Sequence, residues 1–140
     1  MTTKILVPVD GSDPACRAAA FAATLARALD ARLTLLHVFD APSAMTLGLV
    51  ALSQERVDAA SAEIAAAAFA RAEAALEGVH AVRRREVGEP SERIVHVANS
   101  GGFDHVVLGS RGLSLVNELL LGSVSERVLR RASCPVTLVR

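Results

Sequence analysis

The stretch KILVPVDGSDP (4–14) joins an apolar run to the start of a helix, and it decides the fold. Its first seven residues are mostly aliphatic and β-branched, which is typical of a buried strand. The run breaks at a glycine, after which Ser12 or Asp13 is suited to cap a helix and Pro14 to occupy its first turn. The stretch therefore predicts a strand that leads directly into a helix.

The same alternation continues along the rest of the chain. Further strands are predicted at 31–39, 80–87, 103–109 and 135–140, and helices at 14–30, 49–76, 88–101 and 123–133. Strict alternation of strand and helix predicts one α/β domain over residues 1–140, with a doubly wound parallel sheet and helices on both faces. The fourth strand is continuously apolar, as in a strand buried on both faces, whereas the third is expected to be more exposed.

The helical period also predicts which residues of the first two helices face the sheet. The expected apolar positions are Ala18, Phe21, Ala22, Leu25 and Leu29 in the first helix, and Val57, Ile64 and Phe69 in the second. Eleven of the 17 residues from 59 to 75 are alanine, the strongest helix former. So much alanine favours close packing of this helix on the sheet.

Composition excludes several classes of partner. Fifteen basic and 15 acidic residues give a net charge of zero, so no cationic field is present to attract nucleic acid or an anionic membrane. The short basic run Arg83 to Arg85 is expected to be a solvated strand edge. No segment is long enough for a membrane span or a signal-peptide core, and Cys16 and Cys134 are expected to be buried free thiols. We therefore expect a cytoplasmic protein that binds neither nucleic acid nor membrane.

The segment GSRGLSLVNELLLGSVS (109–125) carries three glycines and lacks the lysine of common phosphate-binding loops. The P-loop pattern G-x-x-x-x-G-K-[ST] is absent, because the chain's one lysine, Lys4, starts the first strand. The dinucleotide pattern G-x-G-x-x-G is also absent after that strand. The spacing here is G-x2-G-x9-G-S, in which the glycines bring backbone amides close to a ligand.

Backbone amides can replace the missing lysine. Gly109 and Gly112 allow a tight turn after the fourth strand, and Gly122 with Ser123 begins the last helix, whose amino end carries about half a positive charge. Arg111 supplies the local cation. The hydroxyls of Ser123 and Ser125 are further donors. Alternatively, Ser123 and Glu126 form a capping box and the pair 122–123 only starts a helix.

The position of the ligand crevice in such folds indicates two further candidate site residues, Asp10 and Val38. With the first strand central, the crevice lies at the carboxyl ends of strands one and four, where the strand order reverses. Asp10 ends strand one there and is suited to accept hydrogen bonds from ribose or adenine, to hold Mg²⁺ through water, or to cap the first helix. The backbone of Val38 lines the other side, where it is placed to read an adenine edge or belongs to the core.

The chain resembles the universal stress protein family along essentially its whole length. The resemblance rests on ILVPVDGSDPA, ARLTLLHV, VGEPSERIV, VVLGSRGLS and LLLGSVSERVLRRASCPVTLVR, and on the glycine spacing, which is that family's ATP-binding signature. It implies an adenine nucleotide alpha hydrolase-like fold with strand order 3-2-1-4-5 and ATP, with Mg²⁺, at the carboxyl edge. The implied adenosine contacts are Pro8, Asp10 and Val38, and the implied ribose and phosphate contacts are Gly109, Arg111, Gly112, Gly122, Ser123 and Ser125. Many relatives carry basic residues between the glycines, whereas this chain has none there and includes Glu118.

The resemblance also implies a stress-response sensor or adaptor that forms a homodimer. In the implied order the last strand lies at a sheet edge, and its apolar residues favour pairing with a second copy. We expect no catalytic and no metal-ligating residues, since the histidines show no ligand spacing. Two alternatives stay open: a slow phosphohydrolase or nucleotidyl-transfer enzyme that uses Asp10 and Mg²⁺, and an interaction dimer that binds no nucleotide.

Overall fold

The computed structural model describes residues 2–40, 53–111 and 121–140. The elements are β1 (Lys4–Pro8), α1 (Asp13–Leu29), β2 (Arg32–Phe39), α2 (Gln54–Ala74), β3 (Ala81–Val87), α3 (Pro90–Ser100), β4 (His105–Gly109), α4 (Ser123–Arg131) and β5 (Val136–Val139). This confirms the predicted alternation, although the strands are one or two residues shorter at their ends than predicted. The first residues of the second predicted helix, 49–52, lie outside the described residues.

All five strands form one parallel sheet of order β3-β2-β1-β4-β5, which confirms the predicted order. The chain moves outward from the central β1 through β2 to β3 and then crosses back to β4 on the other side. The connections that leave the carboxyl ends of β1 and β4 therefore diverge, and an open crevice is expected between them.

Alternate residues of each strand face opposite helix layers, because side chains alternate along a strand. Ile5 and Val7 of β1 pack in the layer of α1 and α2, while Leu6 packs in the layer of α3 and α4. All three side chains have no exposed surface. The core thus consists of two apolar layers separated by the sheet, as predicted for helices on both faces.

The buried face of α1 is made of alanines rather than of large side chains. Its buried residues are Ala15, Ala18, Ala19, Ala22, Ala23 and Ala26. The prediction was wrong for Phe21 and Leu29, which are 42% and 54% exposed, and for Ile64 of α2, which is 39% exposed. Alanine takes the sheet-facing positions because it allows the helix backbone to lie closer to the strands, and the larger residues then fall on the outer side.

The two edges of the sheet differ in charge. At the β3 edge, Arg83 pairs with Glu73 at 2.5 Å, and Glu86 pairs with Arg93 at 2.5 Å and Arg84 at 3.5 Å. The hydrogen bond from Arg93 holds the pKa of Glu86 below its usual value, against the effect of burial. The basic run is thus a partly solvated edge, as predicted. The β5 edge, in contrast, has the sequence VTLV, and all four residues are half-buried.

The two cysteines are less buried than predicted. Cys16 and Cys134 are free, but both are half-buried rather than buried. Burial raises the pKa of the Cys134 thiol, so this side chain is a poor nucleophile at neutral pH. Within the described residues, no helix is long and apolar enough to cross a bilayer.

Candidate functional site

A cleft of about 480 Å³ lies at the carboxyl ends of β1, β2 and β4, where the strand order reverses. Its volume falls within the roughly 300–1000 Å³ of small-molecule sites. The lining includes every predicted site residue that the structure describes. These are Pro8, Asp10, Val38, Gly109, Arg111, Gly122, Ser123 and Ser125. The ninth predicted residue, Gly112, lies outside the described residues.

Asp10 lies in the tight turn between β1 and α1. One of its carboxylate oxygens accepts a hydrogen bond from the backbone N–H of Ser12 at 3.0 Å, and the residue is exposed. The cap of α1 is Ser12, whose hydroxyl accepts from the N–H of Ala15 at 3.3 Å. This confirms Ser12 as the predicted cap and shows that Asp10 does not cap the helix. Asp10 lines the cleft, and its carboxylate has acceptor positions beyond the one that Ser12 uses.

The amino end of α4 lines the cleft. Gly122 is its N-cap residue, and no side chain among the described residues caps this helix. The predicted capping box is therefore wrong, because Ser123 is already the first helical residue and Glu126 pairs with Arg130 at 2.9 Å instead. The first amide N–H groups of a helix have no partner within the helix, so they remain available to an anion.

The neighbouring helix α3 shows the opposite arrangement. The carboxylate of Glu89 caps it and accepts from the N–H of Glu92 at 2.8 Å and from the hydroxyl of Ser91 at 2.6 Å. Burial favours the protonated acid, but these hydrogen bonds outweigh it and hold the pKa of Glu89 below its usual value. An anionic side chain thus already occupies this helix end, and α4 offers the better anion site.

Two hydrogen bonds join the end of β4 to α4. Gly122 donates its N–H to the carbonyl of Ser110 at 2.8 Å, and the hydroxyl of Ser125 donates to the carbonyl of Gly109 at 2.7 Å. Ser125 was predicted as a hydroxyl donor to a ligand, but its single hydroxyl proton is directed to the backbone here. Its contribution is to fix the start of α4 beside β4.

Gly109 is required by the packing of α1. A Cβ at this position would lie 2.8 Å from the Cβ of Pro14 and 2.9 Å from its carbonyl carbon. Real Cβ atoms essentially never approach so closely, so any larger residue must displace α1. The sequence predicts that this glycine serves a ligand, and that role stays a prediction. What the structure shows is that the absence of a side chain here allows the helix to lie against β4.

The charges that line the cleft are few. Arg111 is the one cation among the described lining residues, and the acids are Asp10 and Asp40. Within the described residues no group of three histidine, cysteine or acidic side chains is placed to hold a metal. Mg²⁺ usually binds through one or two carboxylates together with substrate phosphates, so Asp10 would fit as a partner of a metal that arrives with a nucleotide.

Sequence reasoning missed part of the lining. The missed residues are Val9, Ala15, Leu36, Asp40, Pro90, Ile94, Leu108 and Val124. Asp40 follows β2 directly, so the rule that ligands meet the carboxyl ends of strands was the signal that indicated it. Pro90 and Ile94 come from α3, and no local pattern in the sequence indicates that this helix covers the cleft.

Comparisons with known proteins agree with this geometry. The sequence profile of the Universal stress protein family matches residues 1–140. The chain is 36% identical to universal stress protein YxiE of Bacillus subtilis, and the alignment covers 100% of both chains. The structure of universal stress protein UspA from Lactobacillus plantarum has a TM-score of 0.79 and 29% identity over 99% of this chain and 97% of that one. A universal stress protein solved in complex with cAMP has a TM-score of 0.68 and 30% identity over 99% and 97%.

The strand order and the cleft at the reversal point define an α/β protein of the adenine nucleotide alpha hydrolase-like fold. The relatives narrow this class further. The chain belongs to the universal stress protein family.

Proposed function

We propose that this protein binds an adenine nucleotide, with ATP and Mg²⁺ as the physiological ligand, and acts as a dimeric sensor or adaptor in the cytoplasm during stress. The observation that carries the proposal is the cleft itself. It gathers residues of β1, β2, β4 and the amino end of α4 that are far apart in sequence. The related structure solved with cAMP supports an adenine nucleotide as the class of ligand.

The lining separates into an apolar part and a polar part. Pro8, Val38 and Ile94 offer flat apolar surface for an adenine ring, and Asp10 offers acceptors for ribose hydroxyls. The phosphates then lie toward Arg111 and the amides at the start of α4. This end supplies positive partial charge without a lysine, because the helix dipole and uncapped N–H groups act together.

Calorimetry on the purified protein tests the proposal directly. We expect saturable binding of ATP, and mass spectrometry of the protein as isolated should detect a co-purified adenine nucleotide. Parallel titrations with ADP, AMP and cAMP measure what each phosphate contributes, and GTP serves as the control for the base. The proposal is wrong if no adenine nucleotide binds in the micromolar range, or if GTP binds as well as ATP.

We expect the bound nucleotide to be hydrolysed slowly or not at all. In the described part of the cleft, Asp10 and Asp40 are the only side chains of a type that commonly acts as a general base, and Asp10 is proposed to bind the ribose rather than the phosphates. Protein incubated with Mg-ATP should release phosphate at less than about one turnover per minute, against 1–1000 per second for typical enzymes. Release of phosphate or pyrophosphate at enzymatic rates would instead support the phosphohydrolase or nucleotidyl-transfer alternative.

The β5 edge is the proposed dimer interface. The carbonyl of Pro135 accepts from the N–H of Val106 in β4 at 3.0 Å, and that of Val139 accepts from the N–H of Ser110, directly after β4, at 2.8 Å. The backbone groups of residues 135, 137 and 139 therefore face β4. In a parallel ladder the alternate residues, Val136 and Leu138, then direct their N–H and C=O groups outward. An apolar strand with outward backbone groups that no described residue pairs is suited to pair with the same strand of a second copy.

Leu138→Pro should convert the dimer to a monomer, because proline removes an outward N–H without removing a bond to β4. Leu138→Ala is the control, since it removes even more of the side chain than proline does but keeps that N–H. Light scattering coupled to size exclusion should give the monomer mass for the first variant and the dimer mass for the second. Pairing through this edge is excluded if the folded proline variant stays dimeric.

A further inference from the structure

The peptide backbone on each side of Asp10 is held by a side chain from outside the cleft. The carbonyl of Gly11, which follows Asp10, accepts a hydrogen bond from the guanidinium of Arg71 on α2. The carbonyl of Val9, which precedes Asp10, lies 2.9 Å from Nδ1 of His37 on β2. Because a carbonyl only accepts, Nδ1 carries the proton in this contact.

Arg71 reaches the turn with two of its nitrogens. One donates to Gly11, and the other pairs with the carboxylate of Asp13 at 2.7 Å. Gly11 adopts a φ of +85°, which L side chains rarely adopt, so the turn has little freedom in its choice of residue. A Cβ at Gly11 would lie 3.9 Å from Ala68, so the turn rests on the same part of α2.

His37 is also supported by α2. It is 6% exposed, and its ring meets that of Phe69 edge to face with the centroids 6.3 Å apart. One turn of α2, residues 68–71, therefore supports both contacts to the Asp10 segment. Neither Arg71 nor His37 lines the cleft itself.

We propose that Arg71 and His37 are positioning residues for nucleotide binding, which they promote by fixing the backbone that presents the Asp10 carboxylate. This inference rests on the proposed function. A carboxylate that is already held in place loses little conformational freedom when a ligand binds, and its hydrogen bonds to the ligand are stronger for that reason. Substitution of Arg71 or His37 should then reduce nucleotide affinity only when the Asp10 carboxylate is present.

Arg71→Ala should weaken ATP binding about 5–10-fold by calorimetry. The matched control is Arg27→Ala, because Arg27 also holds backbone carbonyls, those of Leu76 at 2.9 Å and Glu77 at 3.0 Å, but does not contact the Asp10 turn. This control should bind ATP within twofold of the unmodified protein. Arg71→Lys keeps the charge and the long stem but has one nitrogen in place of the two that reach Gly11 and Asp13, so it should fold and lose about threefold in affinity.

A double-mutant cycle separates positioning from general stability. In an Asp10→Ala background, Arg71→Ala should cost less than a further twofold in affinity, because the group that it positions is gone. For the second contact, His37→Leu should weaken binding about 5–10-fold. His37→Asn should retain most of the affinity, because the asparagine amide can still donate near the position of Nδ1.

These experiments distinguish a failure of the proposed function from a failure of the positioning role of Arg71 and His37. If the unmodified protein binds no adenine nucleotide, the proposed function and this inference both fail. If it binds, and the Arg71 variants bind equally well or lose the same factor with and without Asp10, only the inference is wrong.

Discussion

Gly122→Val should weaken ATP binding by about 100-fold or more while the protein remains folded. The branched side chain would lie over the first amides of α4, where the phosphates are proposed to bind. Gly122 has φ −66° and ψ 151°, an extended conformation that valine adopts readily, and its N–H can still donate to Ser110. The backbone conformation therefore adds little strain, and the poorer N-cap residue is expected to cost about 1 kcal/mol. Calorimetry with ATP and a chemical unfolding curve measure the two effects.

Glu89→Ala is the control for this experiment, because it changes the N-cap of the adjacent helix α3 without changing the lining of the cleft. It should lower the free energy of unfolding by about 1 kcal/mol and leave ATP affinity within twofold. Gly122→Ala should give an intermediate loss of affinity, since a methyl group covers less of the helix end. Unchanged affinity in the folded valine variant would remove the amino end of α4 from the site.

Gly109→Ala should destabilise the fold by about 2–3 kcal/mol, since overpacking a closely packed site usually costs about 1–3 kcal/mol and the nearest atoms here include backbone. The added methyl would meet Pro14 at 2.8 Å, and α1 must shift to accommodate it. For a domain of 140 residues this corresponds to a fall in melting temperature of roughly 7–10 °C.

Gly122→Ala is the matched control for this measurement, because it adds the same methyl group at another glycine. It should change the melting temperature by less than about 3 °C. Substitutions at these two glycines of the G-x2-G-x9-G-S motif are thus expected to have different effects. Substitution of Gly109 should affect mainly stability, and substitution of Gly122 mainly ligand affinity. A melting temperature for Gly109→Ala equal to that of the unmodified protein would show that α1 does not restrict this position.

Much of the fold could be predicted from the sequence, because its main signals are local. The run at 4–10 and the helix start after it follow from residue type and capping chemistry alone. Alternation then leaves few topologies, since crossovers between parallel strands are right-handed. The gathering of Asp10, Val38 and Gly122 at one edge follows from the topology as well.

The features that could not be predicted depend on which surfaces meet. The helical period places Phe21 and Leu29 near the same face as the alanines, and only the distance between α1 and the sheet decides which of them is buried. The alternative of a capping box at Ser123 came from a pattern that ignores the hydrogen bond between Gly122 and Ser110. In the same way, the contact of Arg71 with Gly11 joins residues 60 positions apart, and no local pattern reveals it.

The unequal edges of the sheet limit how large an assembly can grow. An edge strand that accepts a second copy offers no stopping point by itself, and sheets with two such edges add copies without end. Here the arginine and glutamate pairs along β3 would discourage addition on one side, so the proposed twofold contact through β5 would use the other edge of both copies. Assembly through this proposed contact would then terminate at two subunits instead of continuing as an open filament.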